Sequence, residues 1–446
     1  MEFKSIKVQK LFGLLDYEID LDNEEFLTIL TGPNGYGKTT ILNIIYHFFN
    51  QKFYFFQKLE FQSISFNFSA NRCIELTKKK GKPKTDQIVQ LVDNRQEIIL
   101  QQIQTVDIQV HLLIGGKLSE AFVYNSEAEN KLVSQLGKYI QIQRISQDVI
   151  LDNRTRKHLS LREFLLENGD NLPIRVINLL HKQQNNQISL LLSSVDVYII
   201  REQRLLTQNG SNNRGSFINT IEHYAKELKE YISNTQLRAY QRTQELDSSF
   251  PKRLIDCKRK LSREEFDTRF TKLKERQQQL KTFGISTSNQ DVTDYNEETA
   301  NVLTVYLEDS EQKVGVYDEL LEKIDLFVNI LNEKKFAFKS IVINGPQGFY
   351  FQSNNGQPLN LTDLSSGEQQ EVVLLYELLF RTNSNTLILI DEPEISLHVI
   401  WQKAFIQDLQ RIADIKHISF LISTHAPQII NDRWDLTLDL FDLANK

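Results

Sequence analysis

The 446-residue sequence predicts an α/β fold built on a parallel core sheet, with a helical segment inserted between the two halves of the sheet. Three observations predict it. The apolar run 26–30 leads directly into Gly32-Pro33-Asn34-Gly35-Tyr36-Gly37-Lys38-Thr39, and a segment with Ile41, Leu42, Ile45 and Phe48 on one helical face follows. The run Leu387-Ile388-Leu389-Ile390 ends in Asp391-Glu392, as a buried parallel strand does when it delivers carboxylates to the C-terminal edge of a sheet. Between the two lie apolar seams at alternating three and four spacing, which belong to helices.

In chain order, residues 3–8 and 17–21 alternate as a strand pair around the loop Phe12-Gly13-Leu14. The glycine string after strand 26–30 is the G-x-x-x-x-G-K-[ST] of a P-loop NTPase in its required strand-to-helix context. Gly32, Gly35 and Gly37 let the backbone curl so that successive N–H groups face phosphate oxygens. Lys38 supplies a point charge to the outer phosphates, and the Thr39 hydroxyl, with Thr40 beside it, can hold Mg²⁺. Aromatic residues crowd 46–68, where Phe61, Ile64, Phe66 and Phe68 alternate. A core strand is the simpler reading and a stacking surface for single-stranded nucleic acid the other. The basic string Lys78-Lys79-Lys80-Gly81-Lys82-Pro83-Lys84 reads as a hairpin tip, with phosphate contact as the alternative.

Strands are expected at 106–114 and 195–200. The second runs into Arg201-Glu202-Gln203-Arg204, where Gln203 either reaches a Mg²⁺ ion or the water near a terminal phosphate, or satisfies loop backbone. Residues 209–215 are a polar linker. Ile221, Ala225, Leu228 and Ile232 then begin a helix, and Pro251 divides it from a second helix. That second helix has a capping box from Ser262 to Glu265 and a seam through Phe266, Phe270, Leu273 and Leu280 that ends at Gly284. Between Lys252 and Lys281 stand 11 Lys or Arg against 5 Asp or Glu, in a chain whose net charge is −6. A solvated helix face accounts for this, and a DNA or partner-docking surface is the alternative. Residues 285–294 read as a connector, followed by a third helix with Tyr317, Leu320, Ile324, Phe327 and Leu331 in its seam. A strand at 339–343 and a hairpin at Gly345 and Gly348 come next.

Leu364-Ser365-Ser366-Gly367-Glu368-Gln369 precedes an apolar-periodic helix over 372–380. Free N–H groups at its start and the helix dipole make a phosphate grip, although the same string serves as an ordinary cap. In the acid pair, Asp391 suits Mg²⁺ coordination through water and Glu392 suits accepting a proton from water attacking a γ-phosphate. Two buried carboxylates side by side are costly without a cation. Residues 394–398 turn into a helix over 401–412. The last strand, 418–422, ends in Ser423-Thr424-His425-Ala426-Pro427. A lone histidine is usually structural, but His425 at a strand end beside the acid pair is placed to touch a terminal phosphate.

Composition narrows the class. No run of 18 apolar residues occurs and residues 1–10 alternate with charge, which excludes a signal peptide or spanning helix and leads to an expected cytoplasmic location with no membrane partner. The 2 cysteines, Cys73 and Cys257, form neither a disulfide framework nor a zinc site.

The order of Gly32 to Thr39, Gln203, Leu364 to Gln369, Leu389 to Glu392 and His425 resembles the ABC-type ATPases. Their corresponding parts are Walker A, Q-loop, signature, Walker B and switch histidine. The resemblance implies an ABC head with a mixed-sheet lobe and a parallel core sheet, and it implies that ATP and Mg²⁺ bind. Lys38, Thr39 and Asp391 would serve nucleotide and metal, and Glu392 would be the general base. Gln203 would be the Q-loop residue, also on Mg²⁺, with Gln147 a second candidate. Ser396-Leu397 would be the D-loop. Ser365 and Gly367, flanked by Ser366 and Glu368, would clamp the γ-phosphate held by another chain, so that ATP closes a homodimer or higher oligomer. From Lys38 to Ser365 the chain runs 327 residues, too long for a transporter domain and nearer the SMC-like and OLD-like branch. Helices of about 20 to 30 residues give an arm of roughly 30 to 45 Å. The implied division is a head of 1–208 and 336–446 with an arm of 209–335. The strings Ser249-Phe250-Pro251-Lys252-Arg253-Leu254, 364–370 and Asp391 to His398 resemble compact ATPases of prokaryotic anti-phage defence systems, which implies a separate nuclease-like or toxin-like effector. With about twenty residues after His425, no C-terminal TOPRIM-type nuclease is expected. A DNA-repair or DNA-end-binding ATPase using the basic arm is the alternative.

Overall fold

The computed structural model describes residues 3–92, 95–124, 142–144, 149–152, 157–160, 187–200, 205–208, 217–285, 295–334, 336, 338–395 and 397–445. The hairpin β1 (Phe3–Leu11) and β2 (Leu15–Asp20) opens the chain. β3 (Leu27–Thr31) enters the core, and α1 (Lys38–Phe49) leaves it with Ile41, Leu42, Ile44, Ile45 and Phe48 buried. After the short α2 (Tyr54–Lys58), β4 (Ser63–Phe68), β5 (Arg72–Val92), β6 (Arg95–Ile114) and β7 (Lys117–Tyr124) complete an antiparallel sheet of order β2-β1-β4-β5-β6-β7. Its aromatics are core, as the alternation predicts: Phe3, Phe48, Phe66 and Phe68 are all buried. The lysine string is not a hairpin tip. It lies inside β5, and the register shifts between Lys80 and Pro83. Gly81 and Lys82 fall in that bulge, and pairing resumes with Pro83 opposite Gln104.

β8 (Ile142–Arg144), β9 (Val149–Asp152) and β10 (Lys157–Ser160) pair antiparallel in a small separate sheet. α3 (Gln187–Ser193) and β11 (Val197–Ile200) return to the core. Residues 201–204 and 145–148, with Gln203 and Gln147, lie outside the described residues, as do the linker 209–215 and connector residues 286–294.

β12 (Leu206–Gln208) and β13 (Phe217–Asn219) lead into α4 (Thr220–Asp256), capped by the Asn219 side chain. α4 continues through Pro251, so the expected break is absent. The Ser249 hydroxyl donates to Glu245 O at 2.9 Å and the Arg253 guanidinium to Leu246 O at 2.6 Å, so side chains on both sides of the proline tie back to the preceding turn. Arg253 is itself held by Asp309. At 37 residues α4 is about 55 Å long, more than the arm expected from sequence. α5 (Arg263–Thr282) starts at the predicted Ser262 cap. α6 (Ala300–Gly315), which the sequence reading missed, packs against both arm helices, and α7 (Asp318–Glu333) follows the predicted third seam.

β14 (Lys339–Asn344), β15 (Gly348–Ser353) and β16 (Pro358–Leu359) form an antiparallel hairpin sheet clamped to the root of the arm. Gly348 has a φ of +84° and faces the backbone of Ala225 in α4. Gly345 N–H donates to Phe283 O at 3.2 Å, just beyond α5. α8 (Ser366–Tyr376) continues into one π-helical turn, Glu377–Arg381. β17 (Leu387–Asp391), α9 (Phe405–Lys416), β18 (Ser419–Ser423), β19 (Thr437–Asp439) and α10 (Leu440–Ala444) end the chain. The helix expected over 401–412 is displaced, since a short turn, Val399–Gln402, precedes α9. β18 is not the last strand, because β19 follows it.

The core sheet has the order β11-β17-β18-β3-β19 and is parallel throughout. Both faces are covered, as an all-parallel sheet requires. Leu30, Leu387, Leu389 and Leu421 join α1 and the antiparallel lobe in one apolar core. Ile29, Ile388, Ile390, Phe420 and Ile422 join α8, α9 and the arm root in the other. The strict alternation along each strand divides the two cores.

Candidate functional site

The parallel register fixes the site. Asp391 of β17 stands opposite Ser423 of β18, Ser423 opposite Leu30 of β3, and all three strands end at the same edge. The P-loop leaves that edge with Gly32, Gly35 and Gly37 at φ values of 130°, 89° and 83°, conformations that a side chain disfavours. No heavy atom lies within 4 Å of a Cβ built on Gly35, so its backbone is open to a ligand, whereas Gly37 sits against Leu11 and Phe12. Lys38 is buried at 5% exposure, and its Nζ donates to Gly32 O at 2.8 Å and Pro33 O at 3.4 Å. Burial lowers the Lys38 pKa, and the carboxylates of Glu392, Asp391, Glu394 and Asp439 oppose that shift.

The acid pair meets the loop. Thr39 Oγ1 donates to Asp391 Oδ1 at 3.1 Å, and the Ser423 hydroxyl donates to the same oxygen. Glu392 adopts a φ of 45°, rare for a residue with a side chain, and its N–H donates to Ser423 O at 2.9 Å. Strain of this kind persists where surrounding contacts over-determine it. His425 lies between the two charges, with Nδ1 3.4 Å from Lys38 Nζ and Nε2 3.6 Å from Glu392 Oε1. An ammonium can only donate, so a bond between them uses Nδ1 as acceptor and assigns the ring proton to Nε2, on the side of the Glu392 carboxylate.

Lys38, Thr39, Asp391, Glu392 and His425 are therefore brought together, as the sequence predicts. Gln203 lies outside the described residues, as does Ser396 of the expected D-loop. Leu364 to Gln369 forms a helix start with both halves of a capping box. Ser365 Oγ accepts from Glu368 N at 3.3 Å, and Glu368 Oε2 accepts from Ser365 N at 2.8 Å. Among the described residues, no hydrogen bond or ion pair joins Ser365, Ser366, Gly367 or Glu368 to the P-loop. Ser365 and Ser366 face solvent. Glu368 is held by Lys339 at the start of β14, with Nζ 2.8 Å from both carboxylate oxygens. Burial raises the Glu368 pKa, but the Lys339 ammonium and Ser365 outweigh it and hold the carboxyl below its ordinary range.

Sequence reasoning missed several supports. Asp439 accepts from Thr31 Oγ1 at 3.2 Å and caps α10 through Phe441 N at 2.8 Å, so the C-terminal helix braces the strand before the P-loop. An aspartate just ahead of an apolar segment is a cap signal that could have marked it. Behind α8, buried Lys334 pairs with Glu371 at 3.2 Å and Asp408 at 2.5 Å. Nothing in a local pattern announces that pairing of three elements.

As for metal, the donors at the edge are a hydroxyl and a carboxylate. That set suits a hard cation such as Mg²⁺, which keeps waters and takes further oxygens from phosphate. Among the described residues no group of three or more His, Cys, Asp or Glu forms a complete cage. Nor is any helix among them long and apolar enough to cross a membrane.

The AAA ATPase domain family matches residues 1–430. The chain is similar to the Retron Vc95 probable ATPase of Vibrio cholerae serotype O1 biovar El Tor, 22% identical over 311 residues, covering 56% of this chain and 60% of that protein. It is also similar to the UvrABC system protein A of Clostridium acetobutylicum, 45% identical over 60 residues, 14% of this chain and 6% of that one. It thus spans less than two thirds of the length of these curated relatives. Similar solved structures include the Smc head domain with an extended coiled coil bound to the C-terminal domain of ScpA, from Pyrococcus furiosus, at 11% identity and a TM-score of 0.34, covering 96% of this chain and 91% of that one. The SMC head domain from Thermotoga maritima has 11% identity and a TM-score of 0.34, covering 98% of this chain and 94% of that one. The family match runs from the first strand past the histidine beside the acid pair, and the chain belongs to the AAA ATPase domain family.

Proposed function

We propose that the chain is a Mg²⁺-dependent ATPase whose head, 1–208 and 336–446, closes as a dimer around ATP and whose arm, 209–335, serves a separate effector. The observation that carries the reading is the convergence of Lys38, Thr39, Asp391, Glu392 and His425 at one edge of the parallel sheet. In this reading the P-loop N–H groups bind the phosphates, and Lys38 exchanges its bonds to Gly32 O and Pro33 O for bonds to the outer phosphates. Thr39 and Asp391 hold Mg²⁺, which when bound neutralises phosphate charge. Glu392 accepts the proton of the attacking water, and His425 Nε2–H lies beside it to steady the developing charge. Ser365 is exposed and Gly367 half-buried, and neither is bonded to its own P-loop among the described residues, which favours a role for them on another chain's γ-phosphate.

Steady-state phosphate release by the wild-type chain and by Glu392→Gln tests the reading. Turnover should fall by about two orders of magnitude or more when the base is removed. Equal rates would exclude Glu392 as the base.

The effector part rests on the resemblance of 391–398 to defence ATPases and on the likeness to an ATPase of a retron. A nuclease-like or toxin-like protein should co-purify with the chain, and a chain that purifies and protects cells from phage alone would refute this part. The DNA reading is the weaker one. Arg253, Arg259, Arg269 and Arg276 of the basic arm pair with Asp309, Glu265, Glu311 and Asp318, so much of its positive charge is met within the arm.

A further inference from the structure

Glu394 sits two residues beyond the acid pair, on the single helical turn Pro393–Ile395. Its Oε1 accepts two bonds from the strand-end loop that carries the histidine, one from Thr424 Oγ1 at 2.8 Å and one from the His425 backbone N–H at 2.8 Å. Thr424 is wholly buried, and its own N–H donates to Leu30 O at 3.1 Å. The Thr424 hydroxyl oxygen in turn accepts from Ala426 N at 2.9 Å. Two residues before Glu394, Glu392 N–H donates to Ser423 O. Glu392 and Glu394 thus hold three consecutive residues of the strand-end loop, Ser423, Thr424 and His425, in matching order. The turn is fixed from its far side by Gln402, whose Nε2 donates to Glu394 O at 3.1 Å and Leu397 O at 3.0 Å. The second carboxylate oxygen of Glu394 is buried and accepts no hydrogen bond from the described residues. A buried carboxyl oxygen without a partner costs stability, so packing alone does not account for it.

We propose that Glu394 is the positioning residue for His425, setting the imidazole between Lys38 and Glu392 and tying its place to the backbone of Glu394 and Leu397 that Gln402 holds. The inference rests on the ATPase reading above. The two-handed grip requires the reach of the longer side chain and one shared acceptor oxygen, and it does not require a full negative charge. Glutamine keeps the shared oxygen in place. Aspartate keeps the charge and loses the reach by one methylene.

The test compares Glu394→Gln with Glu394→Asp for kcat, KM and ATP affinity, and repeats both in a His425→Ala background. Glu394→Gln should stay within about threefold of wild type, and Glu394→Asp should lose roughly 10- to 100-fold in kcat with ATP affinity preserved, as a misplaced catalytic group does. In the His425→Ala background Glu394→Asp should cost almost nothing more, because the group it positions is gone. A defective Gln variant beside an active Asp variant, additive losses with His425→Ala, or a loss confined to KM would each overturn the inference. A wild-type chain that releases no phosphate would overturn the ATPase reading and this inference with it, whereas normal wild-type turnover with both variants unimpaired would overturn the inference alone.

Discussion

Replacing Lys339 by methionine would separate the hairpin that grips the arm root from the helix start that carries Ser365. Lys339 is the only cation paired with Glu368 among the described residues, with Nζ 2.8 Å from each oxygen. The Glu368 side chain is 9% exposed and that of Lys339 is 23% exposed. A charge-assisted hydrogen bond contributes about 1.5–3 kcal/mol, and solvent screening at the partly exposed ammonium brings the loss to about 1–3 kcal/mol. Glu368 also completes the capping box through Ser365 N, so the cost falls on local opening of the first turn of α8. Hydrogen exchange of a peptide spanning 364–372 should accelerate ~5- to 150-fold at neutral pH, the factor that this free energy implies. The sign with pH follows from Glu368, whose folded pKa is depressed. Its stabilisation is complete above the ordinary carboxylate value and disappears as pH falls through the lower folded value, so the wild type and variant should converge in acid. Unchanged exchange at neutral pH, or an acceleration spread evenly over the whole chain, would refute the coupling of β14 to the start of α8.

Other expectations follow from single contacts. Gly348→Ala should leave little folded protein, since a Cβ there collides with the Ala225 carbonyl and lies 3.1 Å from Lys229 N at a φ of +84°; soluble yield and melting temperature report it. Lys416 is buried and its ammonium donates to the carbonyls of Leu378, Leu379 and Thr382 at the end of the π-helical turn. Burial pushes its pKa down to about 7. The unfolded chain then binds more protons than the folded one between about pH 7 and the ordinary lysine value, so wild-type stability should rise with pH over that window relative to Lys416→Met. Parallel melting curves of the two chains would contradict it.

The sequence carried the site better than the scaffold around it. The P-loop, the acid pair and the histidine each sit at the end of a short apolar strand, and the parallel register brings those ends together whatever lies between them. Local pattern suffices for such elements. It fails where tertiary partners override propensity. Pro251 should end a helix, yet α4 runs through it, with Ser249 and Arg253 bonded back to the preceding turn and Arg253 held by Asp309, 56 residues away. Gly81 and Pro83 signal a turn, but β5 continues through them with a bulge at Gly81 and Lys82. β19 is a three-residue strand, too short for periodicity, and it is defined by pairing with β3 rather than by its own residues. Lys339 and Glu368 lie 29 residues apart in different elements, beyond any local rule.

The central claim is that Ser365 acts on a phosphate held by another chain. Mixing two inactive variants tests it directly. Lys38→Met lacks a working P-loop and Ser365→Arg lacks a working grip, so neither should release phosphate alone. A mixed dimer joins the intact P-loop of one chain to the intact Ser365 of the other, and the mixture should regain Mg²⁺-dependent ATP turnover. A mixture as inactive as its parts, or a Ser365→Arg chain with wild-type turnover, would contradict the account.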